Sequence, residues 1–117
     1  MEKNMQYYLS RGFDKRTAEY YISGRKKIVH AAATDNFQLI LDFDNGETRI
    51  YDCNPLIEKG GVFSALSSSE LFRRVYLDDD NSISWDINPF FDSSIHWNNK
   101  LDISPDTCYL ESVPYNE

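Results

Sequence analysis

The sequence is poor in the residues on which secreted scaffolds and metalloenzymes depend. Its 117 residues include two cysteines, Cys53 and Cys108, and two histidines, His30 and His96. A disulfide framework needs more cysteines, so we expect both thiols to be reduced and buried as small apolar side chains. Neither histidine has a histidine or cysteine partner at zinc-ligand spacing, so the sequence predicts no metal and no cofactor.

Long apolar runs are also missing. No stretch approaches the ~20 apolar residues that a membrane-spanning helix needs. The first residues do not combine a charged start with an apolar run, as a secretory signal would. We therefore expect a cytoplasmic protein without a membrane partner.

Motifs of catalysis are absent as well. Gly60 and Gly61 are not followed by the Lys-Ser/Thr pair of a phosphate-binding loop, and the serines at 67–69 lack the glycines of a nucleophile elbow. The Asp-Asp-Asp-Asn run at 78–81 suggests calcium, but Ile83 stands where an EF-hand loop requires glycine. We interpret the run as a hairpin turn and expect a protein that is not an enzyme.

The chain does have many apolar and aromatic residues and an excess of negative charge. It is 41% hydrophobic and 15% aromatic, with a formal net charge of -7. This is too apolar for a disordered chain, and the length suits a single domain. The acidic balance disfavours direct binding to nucleic acid.

The charges are unevenly distributed along the chain. Residues 1–27 hold seven basic and three acidic side chains, whereas the remaining residues hold five basic and sixteen acidic ones. The basic side chains include the consecutive Arg25, Lys26 and Lys27. They either form a solvated helix face that docks on the acidic part of the same chain or contact an acidic partner. A homodimer, with the basic part of one subunit on the acidic part of the other, is compatible with the same division.

Local signals predict a helical head over residues 1–26. Its first helix covers residues 4–11 and ends at Gly12, and its second begins after a cap at Asp14 and ends at Gly24. The second helix has apolar residues at i, i+3 and i+4, and we expect this face to be buried: Ala18, Tyr21 and Ile22.

The body, residues 27–112, begins with a strand at 27–33 and a β-hairpin. Apolar residues alternate over 37–43, and Asn-Gly at 45–46 is the strongest short hairpin signal before the return strand at 47–53. Shorter elements follow in chain order: a turn with Leu56 and Ile57, a core segment with Val62, Phe63 and Leu66, a helix capped by the serines at 67–69, strands at 75–77 and 82–85, a further paired segment at 95–97, a helical turn capped by Ser104, and a frayed tail at 113–117. The predicted fold is α+β, a small antiparallel β-sheet with short helices and an N-terminal helical hairpin, in one compact domain.

Two adjacent aromatic residues, Phe90 and Phe91, follow the Asn-Pro turn signal at 88–89. In such a loop they form either a lid over the core or an exposed anchor for a partner. Six residues are candidates for partner binding: Arg25, Lys26, Lys27, Phe90, Phe91 and Trp97.

An ordered series of short motifs runs from residue 27 to residue 109. The motifs are Phe43-Asp44-Asn45-Gly46-Glu47, Tyr51-Asp52, Pro55-Leu56, Gly61-Val62-Phe63, Leu71-Phe72, Val75-Tyr76, Ile83-Ser84-Trp85, Leu101-Asp102-Ile103-Ser104-Pro105-Asp106 and Tyr109. Their order resembles the bacterial domain-of-unknown-function family twenty-four forty-two, and the basic head resembles an extension of clostridial-type members. An insert at 86–94 leaves open whether Trp85 or Trp97 holds the tryptophan position of the family.

The resemblance implies a small α+β fold without an assigned enzymatic activity. Members are often encoded beside another small protein, which has suggested a toxin–antitoxin pairing. We therefore expect a non-catalytic protein-binding module, the antitoxin-like half of a two-gene pair, whose partner is a basic toxin-like protein. The alternative is a small-ligand-binding or sensory domain with a pocket near Trp85 and Trp97.

Overall fold

The computed structural model describes residues 4–115 and confirms the α+β class. The elements are helices α1 (Met5–Ser10) and α2 (Lys15–Ile22), strands β1 (Ile28–Ala33), β2 (Gln38–Phe43) and β3 (Thr48–Asp52), helix α3 (Asn54–Lys59), a 3₁₀ helix (Gly61–Ser67), helix α4 (Ser69–Phe72), strands β4 (Tyr76–Leu77) and β5 (Ile83–Asp86), a second 3₁₀ helix (Trp97–Asn99), strand β6 (Lys100–Ile103), helix α5 (Pro105–Glu111) and strand β7 (Val113–Pro114). No helix within residues 4–115 is both long enough and apolar enough to cross a membrane.

The strands form two antiparallel sheets. One has the strand order β1-β2-β3-β7 and the other has the order β4-β5-β6. The predicted hairpin is confirmed, because β2 pairs with β3 and Gly46 takes a φ of 88° between them. Such a positive φ favours glycine, which has no Cβ. The predicted alternation also holds, since every second residue of β2 is buried: Leu39, Leu41 and Phe43.

One apolar core joins the two sheets. Trp85 of β5 is completely buried, stacks on Phe72 with ring centroids 5.8 Å apart, and donates its indole N–H to the Phe72 carbonyl over 3.0 Å. Cys53 and Cys108 are free and buried, as predicted. Burial raises the pKa of Cys53 to about 12 and also raises the pKa of Cys108, so both thiols stay protonated at neutral pH.

The head is a helical hairpin, as predicted. Asp14 caps α2 by accepting a hydrogen bond from the Thr17 amide over 2.7 Å. Gly24 follows the helix with a φ of 98°. Tyr21 of α2 stacks on Tyr8 of α1, with ring centroids 5.8 Å apart, and so holds the two helices together.

The face by which α2 packs on the body differs in part from the prediction. Ala18 is buried, but Ile22 is exposed, and Tyr20 is buried instead. The Tyr20 hydroxyl donates to the Asp106 carboxylate of α5 and accepts a hydrogen bond from the Lys26 amide over 3.1 Å. A tyrosine can be buried here because its polar end has partners on the body.

The segment at 95–97 does not extend the sheet, contrary to the prediction. The backbone amides of Ile95 and His96 instead donate to the Asp92 carbonyl, which closes a turn. On the side of β5 opposite β4, the paired strand is β6, in a register that sets Leu101 opposite Trp85. Leu101 and Ile103 of β6 are buried, whereas Ile95 is exposed, so β6 is the segment that contributes to the core.

The prediction of a frayed tail is wrong for residues 113–115. Val113 pairs with Ile50 of β3, and the Tyr115 amide donates to the Thr48 carbonyl over 3.0 Å. The chain after α5 thus pairs with the open edge of β3 as strand β7. The last two residues of the predicted tail, 116–117, lie outside the described residues.

Two smaller predictions are also corrected. Leu56 and Ile57 belong to helix α3 rather than to a turn. Val62 is exposed, because the 3₁₀ helix that begins at Gly61 buries Leu66 instead. The predicted caps of α4 and α5 are confirmed by bonds from backbone amides to the hydroxyls of Ser68 and Ser104.

Candidate protein-interaction surface

The connection between β5 and β6 carries the largest exposed apolar side chains. We call residues 87–98 the aromatic loop. Phe90 is 91% exposed and Trp97 is 82% exposed, and Phe91 and Ile95 are also exposed. The interpretation of Phe90 and Phe91 as a lid over the core is therefore wrong, and they stand in solvent.

A buried amide fixes the backbone of the aromatic loop. The Asn99 side chain accepts a hydrogen bond from the Asn88 amide over 2.8 Å and donates to the Asn88 carbonyl over 3.0 Å. The same amide group donates to the Ser93 hydroxyl over 3.1 Å. Asn99 is only 6% exposed, so its bonds are shielded from water. The loop is therefore ordered although its apolar side chains are exposed.

A carboxylate at the end of β5 supports the loop from below. Asp86 accepts a hydrogen bond from the Ser93 hydroxyl over 2.6 Å and one from the Tyr76 hydroxyl over 2.8 Å. These contacts tie the middle of the loop to β4 and β5. A charged acceptor makes such hydrogen bonds stronger than neutral ones.

A second carboxylate organises the far side of the loop. The hydroxyl and the amide of Ser94 both donate to the Asp92 side chain, over 2.6 and 2.9 Å, and they lower the pKa of Asp92. Asp92 is therefore ionised at neutral pH. The ring of Phe91 lies 5.2 Å from the ring of His96. An aromatic surface and a fixed negative charge thus stand side by side.

The surroundings of the loop are strongly acidic. Residues 75–106 contain seven carboxylates and one basic residue, Lys100. The Lys100 ammonium is 2.6 Å from Asp78 Oδ2, so its charge is compensated within the chain. Burial alone would raise the pKa of Asp78, but hydrogen bonds from Lys100 and from the Ser82 and Asp80 amides outweigh it and lower the pKa. The predicted turn at 78–81 is confirmed, and its first carboxylate is occupied by protein donors.

The basic residues at 25–27 occupy a different position, where the head meets the body. The Arg25 guanidinium is 2.7 Å from Asp106 Oδ2. The Lys26 ammonium lies over the ring of Tyr20, 4.8 Å from its centroid, and the Lys27 amide donates to Asp44. Of the two interpretations, the docking of the head on its own acidic body describes Arg25, whose charge is paired with Asp106.

The six candidate partner-binding residues therefore fall into two groups. Within residues 4–115, no hydrogen bond, ion pair or ring contact joins the group at 25–27 to Phe90, Phe91 or Trp97. Asn99 could not be identified from the sequence, because nothing in an Asn-Asn pair distinguishes a buried clamp from a solvated turn. Only its burial identifies it.

The two tryptophans do not share an environment. Trp85 has no exposed surface, and its N–H is occupied by the Phe72 carbonyl. Trp97 borders an open depression with Val62 and Phe63. Among the described residues, no three His, Cys, Asp or Glu side chains are placed to hold a metal ion.

Comparison with known proteins gives one match. The model of the family described as "Protein of unknown function (DUF2442)" matches residues 28–88. This is the family that the motif order resembles, and the match includes Trp85 but ends before Trp97. The head and most of the aromatic loop lie outside it. No curated protein and no solved structure matches the chain significantly.

Proposed function

Since the chain belongs to the family described as "Protein of unknown function (DUF2442)", which names no activity, we propose from its aromatic loop that it is a non-catalytic protein-binding module. In this proposal the aromatic loop binds a partner protein of basic character. The observation that carries it is the exposure of Phe90 and Trp97 on a loop that Asn99 holds in place.

The order of the loop is one argument for a binding role. Exposed aromatic side chains are unfavourable in water unless a partner covers them, and aromatic residues dominate the energetics of protein interfaces. A loop that is already fixed by Asn99 and Asp86 loses little conformational entropy when it binds. Phe90 and Trp97 can therefore act as anchors.

The charge around the loop indicates the kind of partner. The carboxylates of Asp86 and Asp92 lie within or beside the loop, and Lys100 is compensated by Asp78. A basic surface on the partner complements this field, which speeds association and selects against acidic proteins. An acidic module that covers a basic protein fits the antitoxin-like half of a two-gene pair.

The alternative role as a small-ligand-binding or sensory domain has less support. This role requires a pocket that both tryptophans line, but Trp85 is completely buried in the core and Trp97 lies at the surface. The depression beside Trp97 is open to solvent, so a small molecule bound there would stay largely exposed. Ligand sites usually enclose most of the surface of their ligand.

Affinity capture with three versions of the protein tests the proposal. The tagged wild type, the double variant Phe90→Ser/Trp97→Ser and the control Val29→Ser are used to capture proteins from the native host at moderate salt. Val29 is a suitable control because it is an exposed apolar residue of β1, which belongs to the other sheet. We expect the wild type and the control to retain one basic protein in stoichiometric amount and the double variant to lose it.

A different pattern would contradict the proposal. Equal capture by all three versions would place the interface elsewhere. If no version retains a protein although circular dichroism shows all three to be folded, the binding-module function itself fails.

A further inference from the structure

The outer edge of β6 presents backbone groups that point away from the sheet. The Ile87 amide donates to the Asn99 carbonyl over 2.8 Å. This bond shows which residues of β5 and β6 form the hydrogen-bonded pairs. In an antiparallel pair the bonded residues alternate, so the backbones of Leu101 and Ile103 face β5. The N–H and C=O groups of the intervening residues, Lys100 and Asp102, therefore face outward.

The described chain occupies one hydrogen-bonding group of this edge, because the Lys100 N–H donates to the Trp97 carbonyl at the end of the second 3₁₀ helix. Within residues 4–115, no hydrogen bond reaches the Lys100 C=O or the N–H and C=O of Asp102. Natural edge strands are usually protected by proline, by bulges or by free lysine side chains. β6 has no proline and no bulge, and its lysine is bound to Asp78. The edge around Asp102 is thus free to pair with another strand.

The open depression beside Trp97 forms an apolar groove along the same edge. Val62 and Phe63 of the first 3₁₀ helix and Trp97 of the aromatic loop line it together with Lys100 and Asp102 of β6. Successive side chains of an extended strand point to opposite sides. A strand that pairs with β6 would therefore place every second side chain toward these apolar groups.

We infer that this groove receives an extended segment of the partner protein, which adds a strand to the outer edge of β6. The inference rests on the proposed function and specifies how the partner is held. Main-chain hydrogen bonds to the Lys100 carbonyl and to the N–H and C=O of Asp102 supply affinity, and apolar side chains against Val62 and Trp97 supply selectivity, as in other cases of strand addition.

The charge of the groove selects the occupant. Asp102 is exposed and has no ion pair among the described residues, whereas Lys100 is neutralised by Asp78. A segment with basic residues beside its apolar ones therefore fits. A second copy of this chain fits less well, because two molecules with a formal charge of -7 each would repel one another.

A synthetic peptide tests the edge without altering the protein. The probe is an acetylated and amidated seven-residue peptide of alternating lysine and valine, and amide hydrogen exchange is followed by NMR. We expect the exchange of the Asp102 amide to slow about tenfold or more at saturation, whereas the Lys100 amide, which is already bonded to the Trp97 carbonyl, should change less. The same peptide methylated at every backbone nitrogen, and one with glutamate in place of lysine, should not protect the Asp102 amide. Equal effects of the methylated peptide, or no protection at millimolar peptide, would overturn the inference.

Variants at Asp102 test the same edge with the captured partner. Asp102→Pro removes the outward N–H but leaves the pairing with β5 intact, and should weaken partner binding about tenfold. Asp102→Ala keeps the N–H and should weaken binding less. If Phe90→Ser/Trp97→Ser abolishes capture while Asp102→Pro does not weaken it, strand addition is wrong and the proposed function stands.

The remaining outcomes also separate the two proposals. If no version of the protein captures a partner, the proposed function fails, and the peptide experiment still decides whether the edge accepts a strand. If light scattering shows a wild-type dimer that Asp102→Pro converts to a monomer, the occupant is a second copy of the chain, and the inference of a partner segment is wrong.

Discussion

The side chain of Asn99 makes two hydrogen bonds to the backbone of Asn88: it accepts one from the amide over 2.8 Å and donates one to the carbonyl over 3.0 Å. Asn88 lies near the start of the aromatic loop, and Asn99 directly follows its end. One buried amide thus holds both ends of the twelve-residue loop in a fixed arrangement.

Replacement of Asn99 should loosen the loop. Asn99→Ala leaves the amide and carbonyl of Asn88 without their buried partners, so we expect a loss of about 2 kcal/mol in the free energy of unfolding. Amide exchange should accelerate most over residues 88–98. The neighbouring exposed residue supplies the control, and Asn98→Ala should change stability by less than about 0.5 kcal/mol. Similar losses in both variants would show that Asn99 is not a clamp.

Asp106 should hold the head on the body. The hydroxyl of the buried Tyr20 donates to this carboxylate, so Asp106→Ala leaves that hydroxyl without its acceptor in the interface. We expect a loss of about 2 kcal/mol, with faster amide exchange across α2. In the exposed ion pair between Asp35 and Arg73, Asp35→Ala should cost at most about 0.5 kcal/mol. If Asp106→Ala leaves exchange in α2 unchanged, the head docks by other contacts.

Stability should fall in acid, in part through Asp78. Its pKa is lowered in the folded state from an ordinary value of 3.8, so the unfolded chain takes up the proton first as the pH falls. The stabilisation is complete above the unfolded value and is lost as the pH drops through the lower, folded value. Urea unfolding between pH 7 and pH 2 should show a shallower acid decline for Asp78→Asn than for the wild type. The exposed neighbour variant Asp79→Asn should follow the wild type, and identical curves for all three would refute the assignment.

Both cysteines should be unreactive in the native protein. Burial raises the pKa of Cys53 to about 12 and also raises that of Cys108, which removes the reactive thiolate near neutral pH. Ellman's reagent at pH 8 should therefore label neither thiol quickly until urea unfolds the chain. Rapid labelling of one thiol before unfolding would mean that the core around it opens readily.

The elements that the sequence predicted correctly are those encoded by neighbouring residues. The Asn-Gly hairpin and the caps at Asp14, Ser68 and Ser104 depend on partners within a few positions. Each signal is local, because a turn or a first helical turn is complete in three or four residues.

The errors arose where a residue is placed by a distant partner. Tyr20 is buried instead of Ile22 because its hydroxyl meets Asp106, which lies 86 residues away in the chain. Val113 joins a sheet because the edge of β3 is open, and the segment at 95–97 stays out of the sheet because β6 occupies the position beside β5. Periodicity along the chain contains none of this information.

The candidate surface could be foreseen only in part. The sequence predicts Phe90, Phe91 and Trp97 as candidates for partner binding. Local sequence does not distinguish a lid of Phe90 and Phe91 over the core from an exposed surface. That choice depends on the hydrogen bonds of Asn99 and Asp86, which hold the loop away from the core.

Photo-crosslinking in living host cells tests whether the aromatic loop binds a partner protein. A photoreactive benzoylphenylalanine is introduced in place of Phe90, and in a matched control in place of Val29 of β1. We expect irradiation to join position 90, but not position 29, to one basic protein. No adduct at position 90, or the same adducts at both positions, would contradict the claim that the aromatic loop is a protein-binding surface.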